Sequence, residues 1–179
     1  MSTTVNKSFL IFSILILNLI NHTEACTCRI APPGINYCLA DWEVARVLVL
    51  KRQEGVKIPG NIDQQTKENV RYKVKYEQMF KISSEMTVTE QNLVILPVNI
   101  YTSLDDSACG IQLELGHDYL LSGKYVNGTM QTSLCGQILL EDLKESRKHD
   151  ILEWTEVPDK LKQQLNKQEF DSTCEKELK

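Results

Sequence analysis

The chain has 179 residues, 42% of them hydrophobic and 25% charged, with a formal net charge of −4. That length and apolar content suit one domain with a real core. The mild acidity argues against nucleic acid or an anionic membrane surface as a partner.

The first 25 residues read as a secretory leader. Lys7 supplies the positive start, Phe9 to Ile20 is a twelve-residue apolar run broken only by Ser13 and Asn18, and Thr23 and Ala25 suit the small-residue positions of a cleavage site. Twelve residues fall short of the roughly 20 that span a bilayer, so the product is expected to be a secreted protein. Removal of residues 1–25 takes one lysine and one glutamate and leaves the net charge unchanged. The remaining chain, 26–179, is expected to be a single domain. It begins Cys26-Thr27-Cys28, so Cys26 would carry a free α-amine. In an extended segment residues i and i+2 point to one side and i+1 to the other. Two disulfides could therefore hold Cys26 and Cys28 down while Thr27 points outward.

All six cysteines lie in this part, at 26, 28, 38, 109, 135 and 174. An even count in an exported chain argues for three disulfides, although six cysteines allow 15 pairings and spacing does not choose among them. Three early and three late cysteines suggest early-to-late bonds that close loops of roughly 80–140 residues. Each such loop is worth about 4–5 kcal/mol in the chain-entropy model.

Pro32-Pro33-Gly34 reads as an extended segment with a sharp turn. Trp42 to Leu50, rich in valine and leucine, reads as a long strand. Arg52 to Asn69 is polar, with Gly55, Pro59 and Gly60, and reads as a hairpin tip or loop. Val70, Tyr72, Val74 and Tyr76 alternate with charged residues, the period of a strand with one wet face, and Phe80 and Ile82 continue it. The two tyrosines are read as core or cross-strand residues. Asn92 to Tyr101 is a third strand, whose Pro97 implies an edge or bulge, and Ser103 to Ser107 a short acidic loop before Cys109.

Tyr119 to Tyr125 and Met130 to Leu134 flank Asn127-Gly128, a strong hairpin signal. Asn127-Gly128-Thr129 is also a glycosylation sequon. After Cys135 the period changes. Ile138, Leu139, Asp142 and Leu143, followed by charged residues to Asp150, suggest an amphipathic helix. Pro158 at a first helical position, with Leu161, Leu165 and Gln168, suggests a second. Five strands followed by helices predict a mainly β fold: a small closed antiparallel barrel with C-terminal helices packed on it.

Catalytic and metal chemistry find little support. His117 and His149 are the only histidines after the leader, and no His-Glu-x-x-His occurs. A cysteine nucleophile is disfavoured where every cysteine has a partner, and a thiolate zinc site is disfavoured in an oxidising compartment. Structural disulfides are the plain reading of Cys26 and Cys28 on spacing alone.

Several stretches, in order, resemble the tissue inhibitors of metalloproteinases, specifically their amino-terminal netrin-like domain. They are Cys26-Thr27-Cys28, Arg29 to Pro33, Cys38, Ala40 to Arg46, Asp106-Ser107-Ala108-Cys109-Gly110, Tyr119 to Lys124, Thr132 to Cys135, and Leu161 to Cys174. Arg29 stands where the family usually has a smaller residue, and about fifteen extra residues lie between Cys135 and Trp154.

The resemblance implies an oligonucleotide/oligosaccharide-binding-type five-stranded barrel with disulfides Cys26–Cys109, Cys28–Cys135 and Cys38–Cys174. It implies a secreted, monomeric, non-enzymatic inhibitor of zinc metalloendopeptidases of the matrix metalloproteinase type, with no cofactor of its own. The zinc would be the target's, met by the α-amine and carbonyl of Cys26. Thr27 would fill the adjacent pocket. Cys28 and Arg29, with Asp106, Ser107 and Ala108 beside them, would complete the contact. The competing expectation is a netrin-like module that binds a receptor or matrix protein without inhibition.

Overall fold

Strand β1 (Trp42–Val56) organises the chain. In the computed structural model, which describes residues 26, 28, 31–40, 42–60, 69–82, 97–105, 108–138, 140, 151–172 and 174, it runs past the predicted end at Leu50. Fifteen straight residues would reach about 50 Å, and β1 instead coils. Its pairing with β2 (Asn69–Met79) is interrupted between Arg46 and Val47, Val49 and Lys51, and Glu54 and Val56. Bulges of this kind bend a strand and raise its twist. Gly55, at φ 67°, takes the left-handed conformation at the last one.

The bent β1 pairs with β2 along one edge and, from Trp42 to Leu48, with β4 (Asp118–Val126) along the other. β2 pairs with β3 (Asn99–Ser103), β3 with β5 (Thr129–Gln131), and β5 with β4. The ring β1-β2-β3-β5-β4 closes into a barrel. One expectation needs correction: β3 and β5 run parallel, with Ile100 opposite Met130 and Tyr101 opposite Gln131. Strand directions can alternate all the way round a ring only if the number of strands is even. Five strands force one parallel pair.

The period-two pattern sorts side chains between two cores. Ala45, Val47, Val49, Tyr72, Val74, Ile100, Leu121 and Met130 fill the barrel. Val44 and Leu120, one residue out of phase, face a second cluster with Tyr37, Phe80, Leu152, Leu161, Leu165 and Phe170.

That second cluster lies under helices α1 (Pro33–Leu39) and α2 (Asp159–Asn166). The extended turn expected at Pro32-Pro33-Gly34 is instead the start of α1. Proline suits a helix's first turn because no backbone N–H is needed there, and Ile35 and Asn36 both donate to the Pro32 carbonyl. Tyr37 Oη donates its one proton to Asp171 Oδ1 at 2.8 Å and lies 3.1 Å from the Phe80 carbonyl. Lys81 Nζ donates to the carbonyls of Tyr37, Cys38 and Ala40 at 2.8, 3.1 and 2.6 Å, at the helix C-terminus where a cation is favoured. Cys38–Cys174 then ties α1 to the chain's far end.

Pro158 caps α2 from outside rather than occupying its first helical position. Leu161 and Leu165 are buried as expected, and Gln168 lies beyond the helix at φ 54°. The strand expected over Met130 to Leu134 stops at Gln131, and Leu134–Gly136 forms a 3-10 turn. The third strand begins at Asn99 rather than before Pro97 and continues past Tyr101 to Ser103, while residues 92–96 of its expected start lie outside the described residues. So do residues 1–25, the loop 61–68 and most of the helix expected after Cys135, although Ile138 is buried in the second cluster.

Candidate functional site

The site is built from two turns brought edge to edge. The first follows β3. Asp105 N–H donates to Ser103 Oγ at 3.1 Å, and the Asp105 carbonyl accepts from Ala108 and Gly110 at 3.1 and 3.2 Å. Cys109 sits at φ 56°. Gly110 passes so close to β3 that an added Cβ would lie 2.2 Å from the Ser103 carbonyl oxygen, inside any tolerable contact. The exit from this turn is clamped by Thr102 Oγ1, which accepts from Ile111 N–H at 3.1 Å, and by buried Tyr72 Oη, which accepts from Leu113 N–H at 3.1 Å.

The second turn is Leu134–Gly136, and buried Gln137 fixes it. Gln137 Oε1 accepts from Ser122 N–H at 3.1 Å, and its Nε2 lies 2.8, 2.7 and 2.8 Å from the Ser122 carbonyl, Thr132 Oγ1 and the Ser133 carbonyl. Ser122 Oγ donates to the Gly136 carbonyl at 2.5 Å. β4 therefore holds the turn from below through one amide. Leu134 N–H donates to the Cys109 carbonyl at 2.8 Å and joins the two turns.

Onto this platform Cys26 and Cys28 are bolted. Cys26 is bonded to Cys109 and Cys28 to Cys135, with Cα separations of 5.3 and 4.9 Å. The two disulfides touch: Cys26 Sγ lies 3.8 Å from Cys28 Sγ and 3.7 Å from Cys135 Sγ, and Cys109 Sγ lies 3.5 Å from Cys135 Sγ. Cys28 is buried, Cys26 is partly exposed and Cys135 exposed. Ala108 is exposed two residues from Asp106. The four sulfurs lie within 4.8 Å of one another, a metal-cluster spacing. All four are consumed in disulfides, so they offer no thiolate to an ion.

Of the predicted contact residues, the structure brings together Cys26, Cys28 and Ala108. Thr27, Arg29, Asp106 and Ser107 lie outside the described residues. The three disulfides are those the resemblance implies. Beside the platform a groove of about 520 Å³ runs from Cys135 past Thr132 and Lys124 to Val126, with Leu39 of α1 on its other wall. His117 is exposed, with Nδ1 3.0 Å from Glu153 Oε1, and His149 lies outside the described residues. Gln137, Ser122 and Gly110 were not singled out from sequence. A lone glutamine and serine carry no motif, and Cys-Gly reads as an ordinary turn.

A closed β barrel with Cys26 and Cys28 each cross-linked to one of two adjoining turns defines a small disulfide-framed domain. Residues 24–153 match the family model described as tissue inhibitor of metalloproteinase, and the chain belongs to that family. It is 36% identical over 156 residues to a Caenorhabditis elegans protein provisionally named metalloproteinase inhibitor tag-225, covering 86% of this chain and 93% of that one. It is 30% identical over 136 residues to metalloproteinase inhibitor 2 of Bos taurus, covering 73% of this chain and 56% of the bovine one. To metalloproteinase inhibitor 2 of Homo sapiens it is 28% identical over 131 residues, covering 70% and 53%. The match thus spans about half the length of these two mammalian relatives.

Proposed function

We propose that the protein is a secreted, non-enzymatic inhibitor of zinc metalloendopeptidases that acts through its processed chain start. The observation that carries this reading is the pair of touching disulfides that hold Cys26 and Cys28 on two hydrogen-bonded turns. Family membership supports it. In this reading residues 1–25 are a leader, 26–179 form one inhibitory domain, and the barrel is of the oligonucleotide/oligosaccharide-binding type. Among the described residues no helix is long and apolar enough to cross a membrane.

A catalytic zinc keeps one coordination position for water, and that water is the protease's nucleophile. The α-amine and carbonyl oxygen of Cys26 belong to one residue and can close a five-membered chelate in its place. The amine must be neutral to donate its lone pair. Its reference pKa of about 7.7–8 makes that inexpensive near neutral pH, and the metal drives it further. Bracing by both disulfides removes conformational freedom before binding and so lowers the entropic cost. Thr27 would enter the pocket beside the metal, with Cys28, Arg29 and the 106–108 turn flanking it. The zinc belongs to the target, and the free protein is a monomer with no cofactor.

The test is an inhibition panel of zinc endopeptidases and, as controls, serine and cysteine proteases, using protein whose first residue is verified as Cys26. Stoichiometric inhibition confined to zinc enzymes is expected. Loss of all inhibition in correctly processed, fully oxidised protein would contradict the proposal.

A further inference from the structure

We propose that Asn127 is an N-glycan acceptor, so that carbohydrate forms the outer end of the groove beside the disulfide platform. Asn127-Gly128-Thr129 is a complete sequon, and after residue 25 the sequence contains no other. The structure puts it at the tip of the β4–β5 hairpin, where Asn127 and Gly128 have φ of 49° and 77°. Two consecutive left-handed residues make a type I′ turn, which projects its central residues away from the sheet.

The surroundings divide in a way that suits a sugar. Asn127 and Gly128 are exposed, and a Cβ added at Gly128 would meet no atom within 4 Å. Among the described residues that side of the tip is open. On the other side stands the Pro59-Gly60 bend after β1: a Cβ on Gly60 would lie 3.2 Å from both Asn127 Cβ and the Asn127 carbonyl oxygen. The bend walls off one direction. Val126, 38% exposed, offers an apolar surface next to the acceptor on which the C–H face of a first sugar can rest. The hydroxyl of Thr129 donates inward to the Val126 carbonyl at 2.8 Å and holds the turn closed.

Position gives the modification its consequence. Val126 and Lys124 line the groove that ends at Cys135. A glycan on Asn127 stands at the opposite end from the disulfides and covers the exposed apolar rim there, while the ridge at Cys26 is reached from the Cys135 end.

The test is peptide mapping of the full chain secreted from a eukaryotic host. Enzymatic release of N-glycans in heavy-oxygen water should convert residue 127 to labelled aspartate and remove one glycan's mass. Asn127→Asp keeps a residue that tolerates positive φ and should abolish the mass shift. Thr129→Ser keeps the hydroxyl and the sequon and should retain it. Secreted protein with unmodified Asn127, or a mass shift that survives Asn127→Asp, would overturn the proposal. The readout is independent of inhibition, so it fails or stands apart from the inhibitory reading.

Discussion

The backbone N–H of Leu134 donates to the carbonyl of Cys109 at 2.8 Å and joins the two cysteine-bearing turns, extending the contact made by the β3–β5 pair and by Thr132 N–H on the Tyr101 carbonyl. Cys109 and Cys135 are 26 residues apart in sequence. The Cys26 and Cys28 disulfides therefore anchor to two turns that are themselves tied together.

Gly110 is the tightest point of the first turn. Gly110→Ala would drive a methyl into the Ser103 carbonyl, 2.2 Å from the ideal Cβ position. Overpacking of this kind costs about 1–3 kcal/mol. The expected outcome is a lower urea midpoint with an unchanged slope, and weaker inhibition because Cys109 shifts with its neighbour. An unchanged midpoint would show that the turn yields freely.

Gln137→Leu should be costlier than its modest volume change suggests. It leaves the buried Ser122 N–H without its amide partner, and a buried group orphaned in this way costs about 1–3 kcal/mol, while the Ser122 carbonyl keeps the bond from Thr132 Oγ1. The 3-10 turn loses its hold on β4, so Cys28–Cys135 should become more accessible to a mild reductant. Timed alkylation and peptide mapping would read this directly: faster reduction of Cys28–Cys135 than of Cys38–Cys174 is expected, and equal rates would contradict the role.

Tyr37 links stability to alkaline pH. Burial, and then its hydrogen bond and proximity to Asp171, push its phenol well above the usual value near 10. A group whose folded pKa is raised contributes stability that is full below its unfolded pKa and is lost as pH climbs beyond it. The protein should therefore hold its stability up to about pH 10 and weaken above it. Tyr37→Phe, which also gives up the hydrogen bond to Asp171, should be less stable at neutral pH by about 0.5–1.5 kcal/mol. It should also show a shallower alkaline decline. Unfolding midpoints across pH in both proteins would check the sign.

Cys38–Cys174 serves the second core rather than the platform. Replacing both cysteines with alanine should cost about 2–5 kcal/mol, as loss of a native disulfide does in small secreted domains. At low temperature, inhibition should persist, since both ridge disulfides are untouched. Loss of inhibition in a variant that is folded by circular dichroism would show that the clasp also shapes the ridge.

The barrel was legible wherever one face of a strand is wet. Val70 to Tyr76 alternates cleanly, and Asn127-Gly128 announces its hairpin by composition. Alternation says nothing about direction, however, and the parallel β3–β5 pair follows from the parity of a five-strand ring rather than from any residue. α1 was misread because Pro32-Pro33-Gly34 is turn chemistry locally. Its helix is held by partners far along the chain, Phe80, Lys81, Asp171 and Cys174. The paired cysteines pointed to the site, whereas its supports, Gln137, Ser122 and Gly110, are ordinary residue types that become informative only once Cys109 and Cys135 are adjacent.

The most direct measurement is inhibition by protein extended with one alanine ahead of Cys26, with all three disulfides verified by peptide mapping. The extension keeps the fold and the cross-links but converts the amine of Cys26 into an amide that cannot donate a lone pair to zinc. Inhibition of zinc endopeptidases should fall by orders of magnitude while the unfolding midpoint stays that of the unextended protein. Equal inhibition by the extended and unextended forms would contradict chelation by Cys26.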